Sequence, residues 1–206
     1  MKRLTQIATA ATALFCSGRA TMKHLATLAL TLNLGVVGIY AQQKPVKMAY
    51  SGSNVATTIN LQDGTVTDEE LFAGKGALGP FTYRELHADA ISPQPSSTCT
   101  SGPYFPVVAG AGVFRFQDGS LMTVSTTEGA ICVDLTTELG HLTETYQITG
   151  GTGRFKAASG TLTLTATLSV VLFDASGNPE LLTNTGEFEG TVLGFARGEA
   201  GEDERQ

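Results

Sequence analysis

The sequence predicts an all-β protein, on three observations. Beyond residue 41, apolar and polar residues alternate along most of the chain, as they do in strands with one buried face. Short turns containing Gly and Asp separate the alternating stretches. No window in this part of the sequence has a convincing helical period of 3.6 residues. Short strands joined by tight turns, without crossover helices, predict an antiparallel barrel or sandwich.

The first 41 residues are predicted to be a secretory signal peptide. A basic start at Met22 leads into an apolar stretch over residues 25–40, followed by the small residue Ala41. This is the order of regions in a signal peptide, and 16 positions interrupted by Asn33 are too few for comfortable membrane spanning. We expect the segment to be removed, whether translation starts at Met1 or at Met22, and the protein to be secreted or periplasmic.

The remaining 165 residues suit one domain with a sizeable core. They contain nine basic and 19 acidic residues, which gives a formal charge of −10. Nucleic acid is not an expected partner, because a phosphate backbone is bound by clustered Lys and Arg, and no membrane contact is expected after processing. The domain is predicted to cover residues 42–195. The acidic segment 196–206 is predicted to be disordered, because it has almost nothing to bury.

Two cysteines, Cys99 and Cys132, lie beyond the signal peptide. An even number of cysteines in an exported protein favours a disulfide bond, since the oxidising compartment preserves it. The bond would close a loop of 33 positions and stabilise the fold by roughly 3–4 kcal/mol in the chain-entropy model. Two buried free thiols are the alternative.

The clearest strand is Thr161–Phe173, where six apolar residues recur at period two opposite Thr and Ser. Weaker alternation predicts eight more strands, which are Val46–Tyr50, Val55–Leu61, Phe81–Ala90, Val113–Gln117, Leu121–Ser125, Ala130–Leu135, Glu144–Thr149 and Thr185–Val192. Turns are expected at residues 63–64, 118–119 and 174–180. The segment Asp68–Phe72 is compatible with a single helical turn, and nothing longer is supported.

Residues 148–155, ITGGTGRF, contain three glycines in four positions: Gly150, Gly151 and Gly153. A phosphate-binding loop would need a helix after the glycines, or Gly-Lys-Ser/Thr at its end, whereas a strand is predicted to follow here. We interpret the glycines as a corner between strands that needs positive φ or close backbone approach, with Phe155 folded under the turn as a plug. The dinucleotide-like glycine pattern at residues 74–79 is dismissed because a strand also follows it.

Two stretches resemble a known family. Tyr146–Thr165 resembles the Gly-Gly-Thr-Gly-x-Phe-x-x-Ala-x-Gly signature of dirigent proteins and allene oxide cyclase-like barrels, and Gly110–Thr123 is similar to the Gly-x-Gly-x-Phe-x-Phe-x-Asp-Gly hairpin of bacterial secreted members of that group. The resemblance implies a single antiparallel, up-and-down, eight-stranded, calycin-like β-barrel with an apolar cavity, often assembled as a homotrimer. Plant members either hold a fatty-acid epoxide for cyclisation or orient phenoxy radicals, so confinement and orientation dominate. Their catalytic positions do not align onto this chain.

The strand Phe81–Ala90 carries the main candidate site. Period-two geometry places Tyr83, Glu85 and His87 on one face. If that face pointed inward, Glu85 and His87 would be adjacent titratable groups suited to acid–base catalysis near neutral pH, with Tyr83 lining the cavity. We expect instead that this is the solvent face of a barrel strand, with the opposite, more apolar face packed inside.

The other candidate residues are weaker. Arg115, flanked by two phenylalanines, is a candidate to balance a carboxylate inside the cavity, but solvent is its expected location. No metal site is predicted, since only His87 and His141 follow the signal peptide and no paired ligand spacing occurs. No cofactor is predicted, and no Gly-x-Ser-x-Gly element is present to anchor a hydrolase triad.

Three functions are compatible with these features. The leading one is a non-catalytic exported barrel that binds a small apolar molecule in its interior or acts as an interaction module. The second is a cavity isomerase, similar to the cyclases, that steers a reactive lipid or phenolic intermediate. The third is a structural trimer whose barrel is filled by its own side chains. The orientation of Phe81–Ala90 decides between a polar, reactive interior and an apolar one.

Overall fold

The computed structural model describes residues 44–196, which form eight strands. The strands are β1 (Lys44–Thr57), β2 (Thr65–Gly76), β3 (Phe81–Ala90), β4 (Tyr104–Phe116), β5 (Leu121–Asp134), β6 (Leu139–Gly151), β7 (Ser159–Phe173) and β8 (Pro179–Leu193). Every strand pairs antiparallel with its neighbours in sequence, and β1 also pairs with β8, so the sheet closes into an up-and-down barrel. The predicted fold class is confirmed.

The amino- and carboxyl-terminal predictions fall on residues that the structure does not describe. The predicted signal peptide covers residues 1–41, and the predicted acidic tail is described only at its first residue, Ala196. Within residues 44–196, no helix is long and apolar enough to cross a membrane. The one helical element in that range is a 3-10 turn at Gly153–Phe155.

Two pairs of predicted strands are each one continuous strand. β1 contains the stretch 46–50 and the first residues of the stretch 55–61. β5 contains the stretch 121–125 and all but the last residue of the stretch 130–135. A bulge between Thr126 and Glu128 shifts the register of β5 against β6. A bulge interrupts the period-two pattern without ending the strand, which explains why one strand was predicted as two.

The segment Asp68–Phe72, whose sequence is compatible with a helical turn, lies instead within β2, a strand that was not predicted. β2 pairs with β1 on one side and with β3 on the other, and this tertiary pairing overrides the weak helical tendency of adjacent glutamates. Its inward positions include Glu70 as well as Phe72. A buried glutamate breaks the apolar alternation by which a strand is recognised in a sequence.

Residues 148–155 form the corner between β6 and β7. Gly150 and Gly153 adopt positive φ values of 130° and 57°, which glycine reaches without strain. Gly151 allows close approach instead, since a Cβ there would lie 2.0 Å from the carbonyl oxygen of Leu121. Phe155 is fully buried in the hydrophobic core. The glycines therefore serve a turn, and the ring below them fills one end of the barrel.

The disulfide predicted between Cys99 and Cys132 is present, with the two Cα atoms 5.5 Å apart. It joins β5 to the loop over residues 91–103, which is the longest connection between the described strands. A long loop loses much conformational freedom when it becomes ordered. The disulfide therefore anchors the least regular part of the described chain to the barrel wall.

The barrel interior has two chemically different ends. Where β1, β3, β5 and β7 begin, the buried side chains include Met48, Phe81, Phe114, Phe116, Phe155 and Phe188. Where these strands end, the buried side chains include Asn54, Glu70, Glu85, His87, Glu144 and Asn184. We call these the aromatic end and the acidic end of the barrel. The polar residues of the acidic end form the candidate site.

Replacement of Phe155 by Ala is expected to destabilise the barrel by about 3–5 kcal/mol, because removal of a fully buried ring leaves a cavity. Phe173→Ala is the matched control: this ring is 57% exposed, and its removal should change the free energy of unfolding by only about 0.5 kcal/mol. Chemical denaturation followed by far-ultraviolet circular dichroism measures both values. Equal destabilisation of the two variants would contradict the packing described here.

Candidate functional site

The face of β3 that carries Glu85 and His87 points into the barrel. Tyr83, Glu85 and His87 are each at most 1% exposed, whereas Arg84, on the opposite face, is exposed. The expectation that this face is solvated is therefore wrong. It assumed an apolar interior, but the acidic end surrounds these side chains with polar groups from other strands, and buried polar groups are stable where partners satisfy them.

Three glutamates and one histidine meet at the acidic end. Glu70 projects from β2, Glu85 and His87 project from β3, and Glu144 projects from β6, and all four side chains are buried. One carboxylate oxygen from each glutamate and one ring nitrogen of His87 lie within 4.8 Å of one another. We call these four residues the acidic cluster.

Glu85 accepts hydrogen bonds from three hydroxyl groups. Its Oε2 accepts from Tyr83 at 2.5 Å and from Tyr146 at 2.8 Å, and its Oε1 accepts from Thr126 at 3.1 Å. The Tyr146 hydroxyl also lies 2.5 Å from Oε2 of Glu144. A tyrosine hydroxyl has one proton, so it cannot donate to both carboxylates at once. At least one of the two carboxyl groups therefore carries a proton, which it donates to the tyrosine oxygen.

Glu70 is held by two asparagines. The side-chain amides of Asn54 and Asn184 donate to its Oε1 at 2.5 and 3.2 Å. The Asn184 amide also donates to Oδ1 of Asn54 at 2.9 Å, and its own Oδ1 accepts from the hydroxyl of Tyr50 at 2.7 Å. This network orients the carboxylate of Glu70 through one oxygen and leaves Oε2 without a partner.

His87 is the member of the acidic cluster that lies beside a second pair of acids, Asp68 and Asp89. Its Nδ1 is 3.8 Å from Oε1 of Glu70, and its Nε2 is 3.2 Å from Oδ2 of Asp89 and 3.9 Å from Oδ2 of Asp68. The side chains of Asp68 and Asp89 are 15% and 10% exposed, whereas His87 is fully buried. A second, partly exposed acidic pair therefore separates the cluster from solvent.

Burial governs the protonation of the cluster. It raises the pKa of Glu144 to about 8, an effect increased by the charge of Glu85, and it also raises the pKa values of Glu70 and Glu85. Burial by itself lowers the pKa of His87, but the negative charges of Asp89 and Glu70 outweigh it and hold this pKa well above its usual value. At neutral pH these shifts favour a charged imidazole beside a Glu144 carboxyl group that retains its proton.

Several buried polar atoms at the acidic end have no hydrogen-bond partner among the described residues. They are one oxygen each of Glu70, Glu144 and Asp89 and both ring nitrogens of His87. An unpaired buried donor or acceptor costs about 1–3 kcal/mol, and native proteins retain few of them. Between residues 44 and 196, Glu70 pairs with His87, but no Lys or Arg forms an ion pair with the three glutamates of the cluster. The unpaired oxygens of Glu70, Glu144 and Asp89 are therefore available to a ligand that supplies positive charge or hydrogen-bond donors.

The other candidates from the sequence lie apart from the cluster or at its border. Arg115 is exposed on the outer face of β4, the solvent location expected for it, and does not line the interior. Tyr83 does line the interior and reaches the cluster through its hydrogen bond to Glu85. The three glycines and Phe155 of residues 148–155 lie at the opposite, aromatic end.

Sequence reasoning missed Glu70, Glu144 and Tyr146, which complete the site. A signal for two of them was present in β6, where Leu142, Glu144, Tyr146 and Ile148 occupy one face and are all buried. An acid flanked on its own strand face by large apolar residues indicates a buried carboxyl group. Glu70 gave no such signal, because its strand was not recognised.

A groove of about 550 Å³ lies on the outer wall of the barrel. It runs between β3 and β4 and is lined mainly by the apolar residues Leu61, Leu86, Ala109, Ala111 and Val113. The neighbouring Leu71 of β2 is 50% exposed and extends this apolar surface. Arg84, Gly110 and Glu85, which belongs to the acidic cluster, complete its lining.

The two stretches with a family resemblance lie at turns of the barrel. Gly110–Thr123 spans the hairpin between β4 and β5, and Tyr146–Thr165 spans the corner between β6 and β7. No protein-family model matches this chain, and no curated protein matches it significantly. The resemblance to dirigent and allene oxide cyclase-like barrels stays a prediction.

Replacement of Glu144 by Gln is expected to change how stability depends on pH. Because burial raises the pKa of Glu144 to about 8 from an ordinary value of 4.5, the folded state keeps a proton that the unfolded chain has lost between these values. The contribution of Glu144 to stability is full below pH 4.5 and is lost as the pH rises towards 8. The wild-type Tm should therefore fall over this range, and the fall should be smaller in the variant.

Thermal unfolding at a series of pH values, with no ligand added, measures this difference. Glu70, Glu85 and His87 face Glu144, and both glutamates have raised pKa values, so part of the pH dependence should persist. Glu128→Gln, which changes an exposed glutamate of β5, is the control and should keep the wild-type profile. If Tm depends on pH in the same way in Glu144→Gln and in the wild type, burial does not raise the pKa of Glu144.

Proposed function

We propose that the protein is a binding barrel whose acidic end holds a small ligand with positive charge or several hydrogen-bond donors. The observation that carries this proposal is the set of unpartnered, buried polar atoms on Glu70, His87 and Glu144. An acidic cluster inside a barrel costs stability that well-packed apolar side chains would not cost. Such a cost is expected where the groups serve a function.

Access to the cluster is proposed to lead past Asp68 and Asp89. Both side chains are partly exposed, and both lie beside His87. Burial raises the pKa of Asp68 to about 6, so this carboxyl group is mostly ionised at neutral pH. Negative charge at the mouth of a narrow site raises the local concentration of cations. The entrance therefore favours the same class of ligand as the interior.

We further propose that the barrel acts outside the cytoplasm, as the signal-peptide pattern predicts. The disulfide between Cys99 and Cys132 supports this proposal, because such bonds persist mainly in oxidising compartments. The homotrimer implied by the family resemblance is also a proposal. Exposed apolar residues on the barrel wall, such as Leu71 and Val113, support it, since apolar surface patches often mark protein interfaces.

Binding of a small apolar molecule, the leading expectation from the sequence, is best supported at the outer groove. Inside the aromatic end, the ring of Phe114 packs against those of Phe81, Tyr83 and Phe188, so an apolar ligand there would have to displace packed rings. The outer groove of about 550 Å³ has the size and lining of a small-molecule site.

A second candidate function is acid–base catalysis on a small molecule bound beside Glu85, as in a cavity isomerase. Tyr83 and Tyr146 both donate to Oε2 of Glu85, and this pair of hydrogen bonds favours the second function. Two donors on one oxygen orient the carboxylate. The other oxygen has only the longer contact with Thr126, so it is the better acceptor for a proton taken from a substrate.

Native mass spectrometry of the full chain, purified from its own secretory route, tests the binding proposal. A bound ligand should appear as a mass excess over the processed, disulfide-bonded chain. The double variant Glu70→Gln/Glu144→Gln keeps the size of both side chains but cannot supply a negative charge to a ligand, so it should lose the excess. Glu128→Gln should retain it. A wild-type mass without any excess would contradict the proposal.

Turnover of unsaturated epoxides tests the second candidate function. Glu85→Gln should lower kcat by about 10²- to 10⁴-fold, the usual contribution of a general base. Arg115→Gln alters an exposed residue of the outer wall and should leave the rate unchanged. If Glu85→Gln turns over these substrates as fast as the wild type, Glu85 has no catalytic role with them.

A further inference from the structure

We infer that the ligand of the acidic cluster is a divalent first-row transition-metal ion, bound by Glu70, His87 and Glu144 with Glu85 beside it. This inference rests on the proposed binding function and names its ligand class. Two observations point to it. The potential ligand atoms of the four groups lie within 4.8 Å of one another, and one oxygen each of Glu70 and Glu144 and Nδ1 of His87 are buried without hydrogen-bond partners.

The spacing of the cluster is near that needed for one ion. Carboxylate oxygens and imidazole nitrogens bind Zn²⁺ at about 2.0–2.2 Å in a tetrahedral arrangement, so two ligand atoms of one ion lie about 3.4 Å apart. The ligand atoms of the cluster lie within 4.8 Å of one another, so the most distant of them would have to approach by up to about 1.4 Å to bind one ion. Binding of one ion therefore requires the side chains to make this movement.

The charge of the site also fits a divalent cation. Metal binding releases protons from its ligands, so the bound site would present the carboxylates of Glu70 and Glu144 and a neutral imidazole, whose two negative charges one divalent ion cancels. Glu85 beside them is held by hydrogen bonds from three hydroxyl groups. No Lys or Arg of the described chain forms an ion pair with these glutamates. Protons can neutralise the carboxyl groups, but they leave Nδ1 of His87 without a hydrogen-bond partner, whereas a metal ion binds the carboxylate oxygens and this ring nitrogen together.

Glu70 and Glu144 each have one carboxylate oxygen held by a neighbouring polar side chain. Asn54 and Asn184 donate to Oε1 of Glu70, and the hydroxyl of Tyr146 contacts Oε2 of Glu144. In each case the unpartnered oxygen is the other one, Oε2 of Glu70 and Oε1 of Glu144. Hydrogen bonds of this kind orient the metal-binding carboxylates in known sites.

The imidazole ring of His87 is oriented by Asp89, as the two carboxylates are oriented by their hydrogen-bond partners. Its Nε2 lies 3.2 Å from Oδ2 of Asp89, while its Nδ1 faces Glu70 at 3.8 Å. In metal sites, a carboxylate commonly accepts the distal N–H of a histidine ligand and thereby selects the tautomer whose other nitrogen binds the metal. The arrangement assigns Nδ1 of His87 to the metal and Nε2 to the aspartate.

The mixed donor set selects the class of metal. Ca²⁺ and Mg²⁺ prefer sites built from oxygen atoms, whereas imidazole suits Zn²⁺ and Fe²⁺ and carboxylate suits Mn²⁺. The cysteines Cys99 and Cys132 are joined to each other and offer no thiolate. Zn²⁺ should bind more tightly than Mn²⁺, because the affinity of such sites rises along the first-row series towards copper and zinc.

Metal titration of the full, disulfide-bonded chain tests the inference. After treatment with a chelator, calorimetry with Zn²⁺ and with Mn²⁺ should each give one ion per chain, with Zn²⁺ the tighter. Glu70→Gln/Glu144→Gln should weaken Zn²⁺ binding by at least about 100-fold, since loss of even an outer-shell partner weakens binding by 10- to 100-fold. Glu128→Gln should bind as the wild type does.

Nitrogen NMR of the wild type gives a readout that does not depend on a variant's folding. Residues 44–196 contain two histidines, the buried His87 and the exposed His141. Up to one equivalent of Zn²⁺ should shift the ring-nitrogen resonances of His87 and leave those of His141 unchanged. The metal assignment is overturned if neither Zn²⁺ nor Mn²⁺ binds at one equivalent, or if only the resonances of His141 shift. It is also overturned if Ca²⁺ or Mg²⁺ binds more tightly than Zn²⁺.

The results for the two proposals are distinguishable. If native mass spectrometry finds an organic molecule that is lost in Glu70→Gln/Glu144→Gln, and the chelator-treated chain takes up no metal, the metal inference fails and the binding proposal stands. If the wild type shows neither a mass excess nor metal uptake, both fail. A mass excess equal to one metal ion, lost in the double variant, supports both.

Discussion

Closure of β1 onto β8 is the constraint on which the rest of the structure depends. Because β8 pairs with β1 along most of its length, the barrel has no free edge, and every strand must place alternate side chains in one shared interior. The register then decides which residues meet. Glu85 lies opposite Glu70 of β2 and opposite Gly112 of β4, so backbone pairing brings acids from separate strands together. A slip of one residue in β3 would turn Glu85 and His87 to the outer face.

The two ends of the interior act on stability in opposite directions. A fully buried ring at the aromatic end contributes about 1.5–3 kcal/mol, whereas each unpaired polar group at the acidic end costs about 1–3 kcal/mol. Tyr83 and Tyr146 connect the two. Their rings lie 5.2 and 6.1 Å from that of Phe188, and their hydroxyls donate to Glu85. Packing at the aromatic end therefore positions the donors of the acidic end, and rigid support of this kind is what a precise site requires.

Sequence patterns predicted the parts of the fold where ordinary preferences hold, such as the Leu-rich alternation of β7, the turn at residues 118–119 and the cysteine pair. They failed where the interior is polar. β2 was missed because Glu70 occupies an inward position, and the face of β3 was assigned to solvent because Glu85 and His87 are ionisable. The preference of ionisable groups for solvent holds when they lack partners. Here the partners come from distant strands, as with Tyr146, 61 positions from Glu85, and a single sequence contains no record of such pairing.

Two glycines of β4, Gly110 and Gly112, make room for the acidic end at a cost in strand stability. Glycine in a strand is unfavourable, because it has large backbone freedom and no side chain to pack, yet both positions lie opposite the ionisable residues of β3. A Cβ at Gly112 would lie 2.2 Å from the hydroxyl oxygen of Tyr83, and a Cβ at Gly110 would lie 2.3 Å from that of Thr126. These hydroxyls are two of the three that donate to Glu85. A side chain at either glycine would displace a donor, so the Gly-x-Gly pattern of β4 preserves the position of the Glu85 carboxylate.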